Sequence, residues 1–124
     1  MINFTQLGKH FHEYHEDKSY WAYLYCRTVK DKPEVYKYIT DPWDSYRYCR
    51  HVEDRPEIRK YITDSEDAYL YCRNIKDRPE VRKHVTSSED AYFYCIYIKD
   101  RPSKRKHITS SEHLQWYRDW KDEQ

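Results

Sequence analysis

Residues 65–87 read SEDAYLYCRNIKDRPEVRKHVTS, and residues 88–110 read SEDAYFYCIYIKDRPSKRKHITS, so the second stretch is a near copy of the first. Two earlier stretches share the pattern: residues 42–64 read PWDSYRYCRHVEDRPEIRKYITD, and residues 19–41 read SYWAYLYCRTVKDKPEVYKYITD. Self-similarity at a fixed period of this length is the signature of stacked structural repeats. The pattern predicts an all-α protein, a right-handed solenoid of helix-turn-helix repeats with a 23-residue period.

The first half of each repeat has the spacing of an amphipathic helix. In the third repeat, Ala68, Tyr71, Cys72 and Ile75 fall at positions i, i+3, i+4 and i+7, which share one face of a helix. A serine and two acidic residues precede them, and these supply a capping side chain and a favourable charge at the helix start. We therefore expect a helix over residues 65–75.

The second half of each repeat begins with a corner that contains proline. With Asp77 as the N-cap, Glu80 stands at position N3, which is the spacing of a capping box. Pro79 is tolerated in a first turn, because its missing N–H would have no partner within the helix. We expect a second helix over residues 78–86. Neither helix can bury its apolar side alone, so neighbouring repeats must stack.

The repeats and the two end segments together predict one domain over residues 1–124. The full repeats are residues 19–41, 42–64, 65–87 and 88–110. Residues 1–18 are predicted to cap the first repeat, since they have large apolar residues at helical spacing: Phe4, Leu7, Phe11 and Tyr14. Residues 111–124 are a truncated fifth repeat, predicted to cap the last full repeat with Leu114, Trp116, Tyr117 and Trp120.

The composition favours a helical fold with an unusual core. The chain has one glycine and 15 tyrosines, and a β-rich fold would need glycine at its tight turns. Charged residues make up 36% of the chain but nearly cancel, which gives no general attraction to nucleic acid or membranes.

The first residues have no signal-peptide pattern, and no apolar run is long enough to span a membrane. We expect a cytoplasmic protein, in the host cytoplasm if it is viral, that does not associate with membranes.

The units resemble the short α-hairpin repeats of uncharacterised bacterial and viral proteins. The resemblance covers roughly residues 19–110 and rests on the alanine-tyrosine helix, the corner with aspartate and the Glu-Val-Arg helix. It implies an α-solenoid and carries no known active site. The small size and the tyrosine content also resemble an accessory protein of a bacteriophage.

No constellation in the sequence points to catalysis, and we expect neither an enzyme nor a cofactor. Four cysteines could be metal ligands, disulfide partners or nucleophiles: Cys26, Cys49, Cys72 and Cys95. Without a CxxC pair, they are better explained as small apolar residues where the hairpins pack closely. The N-terminal group His10, His12, Glu13 and His15 could bind a metal, but a polar helix face explains it better, so we predict no metal site.

The outer face of the first helix is a candidate surface for a protein partner. Its predicted partner-binding residues are Arg27, Arg50, Leu70, Arg73, Phe93, Ile96 and Tyr97. Arginine and aromatic residues carry much of the binding energy at interfaces. Four flanking tyrosines either join this surface or fill gaps between repeats: Tyr23, Tyr46, Tyr69 and Tyr92. The favoured function is a protein-protein interaction module, either a homodimer or a phage-type inhibitor of a host protein.

The alternative function is nucleic-acid binding through two basic ladders. One ladder is Lys37, Lys60, Lys83 and Lys106, and the other is Arg59, Arg82 and Arg105. A solenoid can present such ladders to phosphates. Acidic residues at the helix starts offset this charge, so a protein partner is the first expectation.

Overall fold

The computed structural model describes residues 18–124, and it contains helices and no strand within that range. The predicted N-terminal cap with its histidines lies outside the described residues. In chain order the helices are α1 (Lys18–Thr28), α2 (Pro33–Tyr36), α3 (Pro42–His51), α4 (Pro56–Arg59), α5 (Ser65–Asn74), α6 (Pro79–Arg82), α7 (Ser88–Tyr97), α8 (Pro102–Arg105) and α9 (Ser111–Asp122). The all-α prediction is confirmed.

The described residues form two compact units, of which the first ends at Ile62 and the second covers Thr63–Gln124. In the first unit, the long helices α1 and α3 pack together, and each packs on the short helix that follows it. In the second unit, α7 packs between α5 and α9, and the short helices α6 and α8 pack on α5 and α7. Each unit is thus built from helices that are close neighbours along the chain.

Each of the long helices α3, α5, α7 and α9 begins with a side-chain cap. The Asp64 carboxylate accepts the Asp67 N–H ahead of α5, and the Ser87 hydroxyl accepts the Asp90 N–H ahead of α7. Asp41 and Ser110 cap α3 and α9 in the same way. A polar side chain at this position satisfies an N–H that has no partner within the helix. The predicted first helix of the third repeat is confirmed within one residue of its expected end.

The serine at the start of a long helix also accepts hydrogen bonds from the backbone at the end of its own repeat. The Ser65 hydroxyl accepts the backbone N–H groups of Thr86 and Ser87 at 3.1 and 3.0 Å. The Ser19 and Ser88 hydroxyls accept the equivalent pairs of N–H groups at residues 40–41 and 109–110. These bonds satisfy backbone donors just before the next long helix, which fixes where that helix starts.

The short second helix differs from its prediction. It covers only Pro79–Arg82 in the third repeat, and its N-cap is Arg78, which makes no side-chain capping bond. Asp77, the expected cap, instead accepts hydrogen bonds from the Tyr94 hydroxyl at 2.7 Å and from Arg82 Nε at 2.9 Å. The capping-box prediction was wrong because an ionised carboxylate bonds more strongly to a guanidinium and a hydroxyl than to one backbone N–H.

The corners explain the scarcity of glycine. At the end of α5, Ile75 has φ −117° and ψ −72°, and Arg78 is extended at φ −99° and ψ 134°. No residue in the described range has positive φ. The chain therefore turns between helices without the left-handed conformation for which glycine is normally used.

The core consists of small apolar residues and whole tyrosine rings. In the third repeat, Ala68, Tyr71, Val81 and Val85 are all fully buried. The four cysteines are free and buried, as the packing interpretation predicted. Burial raises the pKa of the Cys72 thiol to about 12, and the nearby Asp77 carboxylate adds to the effect. Burial likewise raises the pKa to about 12 at Cys49 and to about 11 at Cys26 and Cys95.

We expect the four thiols to be almost inert in the folded protein. A thiol reagent at neutral pH should label them at least ~100-fold more slowly than in the unfolded chain, because burial suppresses the thiolate, which is the reactive form. The rates can be followed by absorbance with and without denaturant. Fast native labelling of Cys49 or Cys72 would show that these side chains are not held in the core.

Candidate interaction surfaces

A hydrogen-bonded triad of aspartate, tyrosine and arginine joins successive repeats within each unit. In the second unit, the Tyr94 hydroxyl donates to Asp77 at 2.7 Å, and Arg101 donates to the Tyr94 oxygen at 2.7 Å and to Asp77 at 3.3 Å. Arg82 completes the group, donating to the other Asp77 oxygen. The carboxylate therefore accepts bonds from its own repeat and from the next one.

The first unit contains the same arrangement. The Tyr48 hydroxyl donates to Asp31 at 2.7 Å, and Arg55 donates to the Tyr48 oxygen at 2.7 Å and to Asp31 at 2.9 Å. Burial and the Asp31 bond raise the pKa of Tyr48, so this hydroxyl stays protonated as a donor. The corner carboxylates, which in sequence could suggest acid–base chemistry, are thus held in structural bonds.

Burial and hydrogen bonding have opposite effects on the pKa of Asp77. Burial disfavours the ionised form, but the hydrogen bonds from Tyr94 and Arg82 and the positive charge of Arg82 outweigh it and lower the pKa from its usual 3.8. A carboxylate with a lowered pKa stabilises the fold above its unfolded pKa, and this stabilisation is lost as the pH falls through the folded pKa.

Asp77→Asn should therefore destabilise the protein by about 1–3 kcal/mol at pH 7, since it weakens charge-assisted hydrogen bonds to three side chains. The difference in unfolding free energy from wild type should shrink as the pH falls from about 5 towards 2, where wild-type Asp77 also becomes neutral. Urea unfolding at several pH values measures both effects. Glu123→Gln, at an exposed position, is the control. An equal loss at every pH would contradict the assigned role of the charge.

The predicted arginines of the partner surface are exposed, and each bonds to a tyrosine one turn earlier. Arg27, Arg50 and Arg73 donate to the hydroxyls of Tyr23, Tyr46 and Tyr69 at 2.8, 3.0 and 3.0 Å. These three tyrosine rings are buried, whereas the fourth of the column, Tyr92, is half-buried. Tyr23, Tyr46 and Tyr69 therefore fit the interpretation that the flanking tyrosines fill gaps between repeats. Their hydroxyls fix the arginine head groups at the surface.

The second unit brings the remaining predicted residues together. Tyr97 is 57% exposed, and the Arg73 guanidinium lies 4.5 Å from the centre of its ring. The Phe93 ring lies 6.1 Å from Tyr97 and 6.0 Å from Tyr69. Phe93, Leu70 and Ile96 are all half-buried. The result is a continuous aromatic area with a cation stacked on its most exposed ring.

Trp116, which the repeat pattern predicted only as part of the C-terminal cap, also belongs to this area. Its ring is 40% exposed and lies 5.6 Å from Tyr92 and 5.2 Å from His113. It does not cover Tyr97, which stays exposed. The repeat register contained the signal, because Trp116 follows Phe93 at the same interval as Phe93 follows Leu70.

A second aromatic group, in the first unit, was not predicted. The Arg47 guanidinium lies 5.2, 4.7 and 5.5 Å from the ring centres of Tyr20, Tyr23 and Trp43. Tyr20 and Trp43 are 37% and 45% exposed. Arg47 also pairs with the buried Asp44 carboxylate at 2.7 Å, so it is held on both sides. Cation–π contacts of this kind stabilise an arginine at a partly exposed site.

The two predicted basic ladders have different surroundings. All four lysines, Lys37, Lys60, Lys83 and Lys106, are exposed. The arginines instead pair with the aspartate of their own corner: Arg59 with Asp54 at 3.0 Å, Arg82 with Asp77 at 2.9 Å and Arg105 with Asp100 at 3.1 Å. The arginine ladder is therefore largely neutralised, although Arg105 is exposed, and every member of the lysine ladder is exposed to solvent.

Lys104 is a buried cation at a position where the other repeats have Val35, Ile58 and Val81. Its ammonium donates to the carbonyl oxygens of Arg82 at 2.6 Å and Val85 at 3.0 Å. Burial lowers its pKa, and repulsion from Lys106 and Arg82 acts in the same direction, while the nearby Cys72 opposes the shift. Among the described residues it forms no salt bridge.

Lys104→Ile should raise the unfolding free energy by about 1–2 kcal/mol at pH 7, because it replaces a desolvated charge with the side chain found at Ile58. A lysine with a lowered folded pKa destabilises the fold below that pKa, and the penalty disappears as the pH rises towards the unfolded value of 10.5. The gain should accordingly shrink at alkaline pH. Denaturant unfolding at pH 7 and about pH 10 provides the comparison, and a destabilised variant would refute the stated cost.

Residues 18–124 contain no group of three or more histidine, cysteine, aspartate or glutamate side chains arranged for a metal ion. The histidines at positions 10, 12 and 15 lie outside this range. No helix in the described part of the chain combines the length and apolar character needed to cross a membrane.

No protein-family model matches the chain, and no curated protein or solved structure is significantly similar to it. The assignment of a function therefore depends on the chain's own residues.

Proposed function

We propose that the protein is a binding module for another protein. The observation that carries the proposal is the aromatic surface of the second unit, formed by Leu70, Arg73, Phe93, Ile96, Tyr97 and Trp116. Its exposed aromatic members are Tyr97 and Trp116, at 57% and 40%. Exposed apolar groups that are contiguous, on a chain otherwise rich in charge, commonly mark a contact.

The chemistry of the aromatic surface suits a protein partner. Tyrosine, tryptophan and arginine are the residues most enriched among those that dominate binding energy. The Tyr97 ring is held against Phe93 on one side and Arg73 on another, so little side-chain freedom remains to be lost on binding. This surface is on the long helices α5, α7 and α9.

We further propose that the 23-residue units form one right-handed solenoid that acts in the cytoplasm, and that the module is a phage-type inhibitor occupying a host protein. The sequence repeat, which continues without interruption past Ile62, supports the solenoid. The resemblance to short hairpin repeats of bacterial and viral proteins supports the inhibitor. A homodimer through the aromatic surface is the other form that protein binding can take.

The test replaces residues of the fourth repeat with those of the third. Ile96→Arg with Tyr97→Asn should weaken binding of the partner, or self-association, by more than tenfold, or about 1.4 kcal/mol. Affinity capture with quantitative mass spectrometry identifies the partner, and titration of that partner gives the affinity. Sedimentation velocity measures self-association.

Trp43→Glu is the matched control, because it places the glutamate of the third repeat at an exposed aromatic of the first unit. It should leave affinity unchanged, and both variants should keep wild-type helicity. Unchanged binding by the double variant would place the interface elsewhere. Loss of helicity in that variant would show that these side chains belong to the core.

The second candidate function is nucleic-acid binding, which the exposure of all four ladder lysines favours. Titration of duplex DNA and RNA at several salt concentrations separates it from protein binding. A steep fall in affinity with salt, and its loss on replacing Lys37 and Lys60 by methionine, would favour nucleic acid. Pairing of the ladder arginines with corner aspartates predicts a shallow salt dependence instead.

A further inference from the structure

A cleft with strong positive character lies in the second unit. Its volume is about 280 Å³, and it opens between α6 and α8. Its side chains are Pro79, Arg82, Lys83, Ser103, Lys104, Lys106 and His107. This lining contains four basic side chains and no carboxylate, and one of the four, Arg82, pairs with Asp77 at 2.9 Å. The overall net charge of the chain is only +1.

The equivalent cleft of the first unit lacks this character. It lies between α2 and α4, has a volume of about 150 Å³ and is lined by Tyr36, Lys37, Glu57, Ile58, Lys60 and Tyr61. The two lysines correspond to Lys83 and Lys106. At the other four of these positions, the second unit has Arg82 for tyrosine, Ser103 for glutamate, Lys104 for isoleucine and His107 for tyrosine. Arg82 and Lys104 each add a cation, Ser103 removes an acid, and His107 replaces a phenol with an imidazole.

Two of these exchanges work against the fold. A lysine at a core position loses its hydration without gaining a carboxylate partner, which is costly. Ser103 replaces a glutamate that the other three repeats keep in the first turn of the short helix, where an acidic side chain is favourable. Departures from a local rule that bring no stability are expected at functional sites.

The cations act on one another within the cleft. Burial lowers the pKa of His107, and the charges of Lys104 and Lys106 lower it further. The neighbouring His84 is affected in the same direction by burial, Lys83 and Lys104. The three lysines, Lys83, Lys104 and Lys106, therefore place positive charge in the cleft that an anion would neutralise.

We propose that this cleft binds a phosphate group, either free or as a phosphorylated side chain. Lys83 and Lys106 supply charged donors, and the Ser103 hydroxyl supplies a neutral one. The His107 ring can donate a hydrogen bond in either of its protonation states. Lys104 acts as a positioning residue, because its ammonium is fixed on two carbonyl oxygens and adds charge beneath the cleft. The contrast between the two clefts argues for one phosphate site, since a polyanion would need similar charge in each. The inference is independent of the proposed protein partner, whose surface is on α5, α7 and α9.

The test titrates the full-length protein with inorganic phosphate at fixed pH and ionic strength, with chloride as the reference anion. Amide and histidine resonances report the site by NMR. We expect saturable shifts centred on residues 103–107, with one phosphate bound at least ~10-fold more tightly than chloride. Uniform small shifts, or equal effects of the two anions, would overturn the proposal.

The test variant gives this cleft the residues of the first unit: Ser103→Glu, Lys104→Ile and His107→Tyr. Each new side chain already occupies the equivalent position at Glu57, Ile58 or Tyr61, so folding should be preserved. Phosphate affinity should fall at least tenfold. The matched control is Lys37→Met with Lys60→Met, which changes the net charge by the same amount in the first unit and should leave affinity within twofold.

If the triple variant does not fold, Lys83→Met with Lys106→Met tests the same site through two exposed side chains. A phosphoserine peptide distinguishes the two sources: tighter binding than inorganic phosphate indicates a phosphorylated side chain, and equal or weaker binding indicates the free ion. A titration with single-stranded DNA tests the alternative, a surface that binds polyanions. If DNA displaces phosphate and its binding falls equally in the first-unit control, a polyanion surface replaces the single phosphate site.

Discussion

The carboxylate at the corner of each repeat is the group on which the rest of this structure depends. Asp77 accepts hydrogen bonds from Arg82 in its own repeat and from Tyr94 and Arg101 in the next, and Asp31 is held by Tyr48 and Arg55 in the same way. Each bond involves an ionised partner, so it is stronger than a bond between neutral groups. Because the donors come from successive repeats, the corner sets the register between them.

This arrangement explains how a chain with a mean hydropathy of −1.27 has an ordered core. Tyr71 and Tyr94 bury their whole rings, and both hydroxyls are bonded to an arginine of the following corner. The ring contributes apolar area, and the hydroxyl avoids the cost of an unpaired buried polar group. A phenylalanine in place of Tyr94 would fill the space but remove one of the three side-chain donors to Asp77.

The same repetition makes each departure informative. Where the first three repeats place an arginine, the fourth has Ile96, and beside it Tyr97 is 57% exposed. Where the other repeats bury an aliphatic side chain, the fourth has Lys104. The first departure enlarges an aromatic surface, and the second adds charge to a cleft. The proposed partner surface rests on the first departure, and the proposed phosphate site rests on the second.

The sequence by itself determined the helical class, the position of the long helices and the burial of the cysteines, since these follow from local spacing, from capping residues and from the regular repeat. It could also place the arginines on an outer face. Only the tertiary structure decided what Asp77 does, because two of its three side-chain donors, Tyr94 and Arg101, are remote in sequence, and the three together outcompete the local backbone. For the same reason, the exposure of Trp116, the burial of Lys104 and the cationic cleft emerged only when neighbouring helices were packed together.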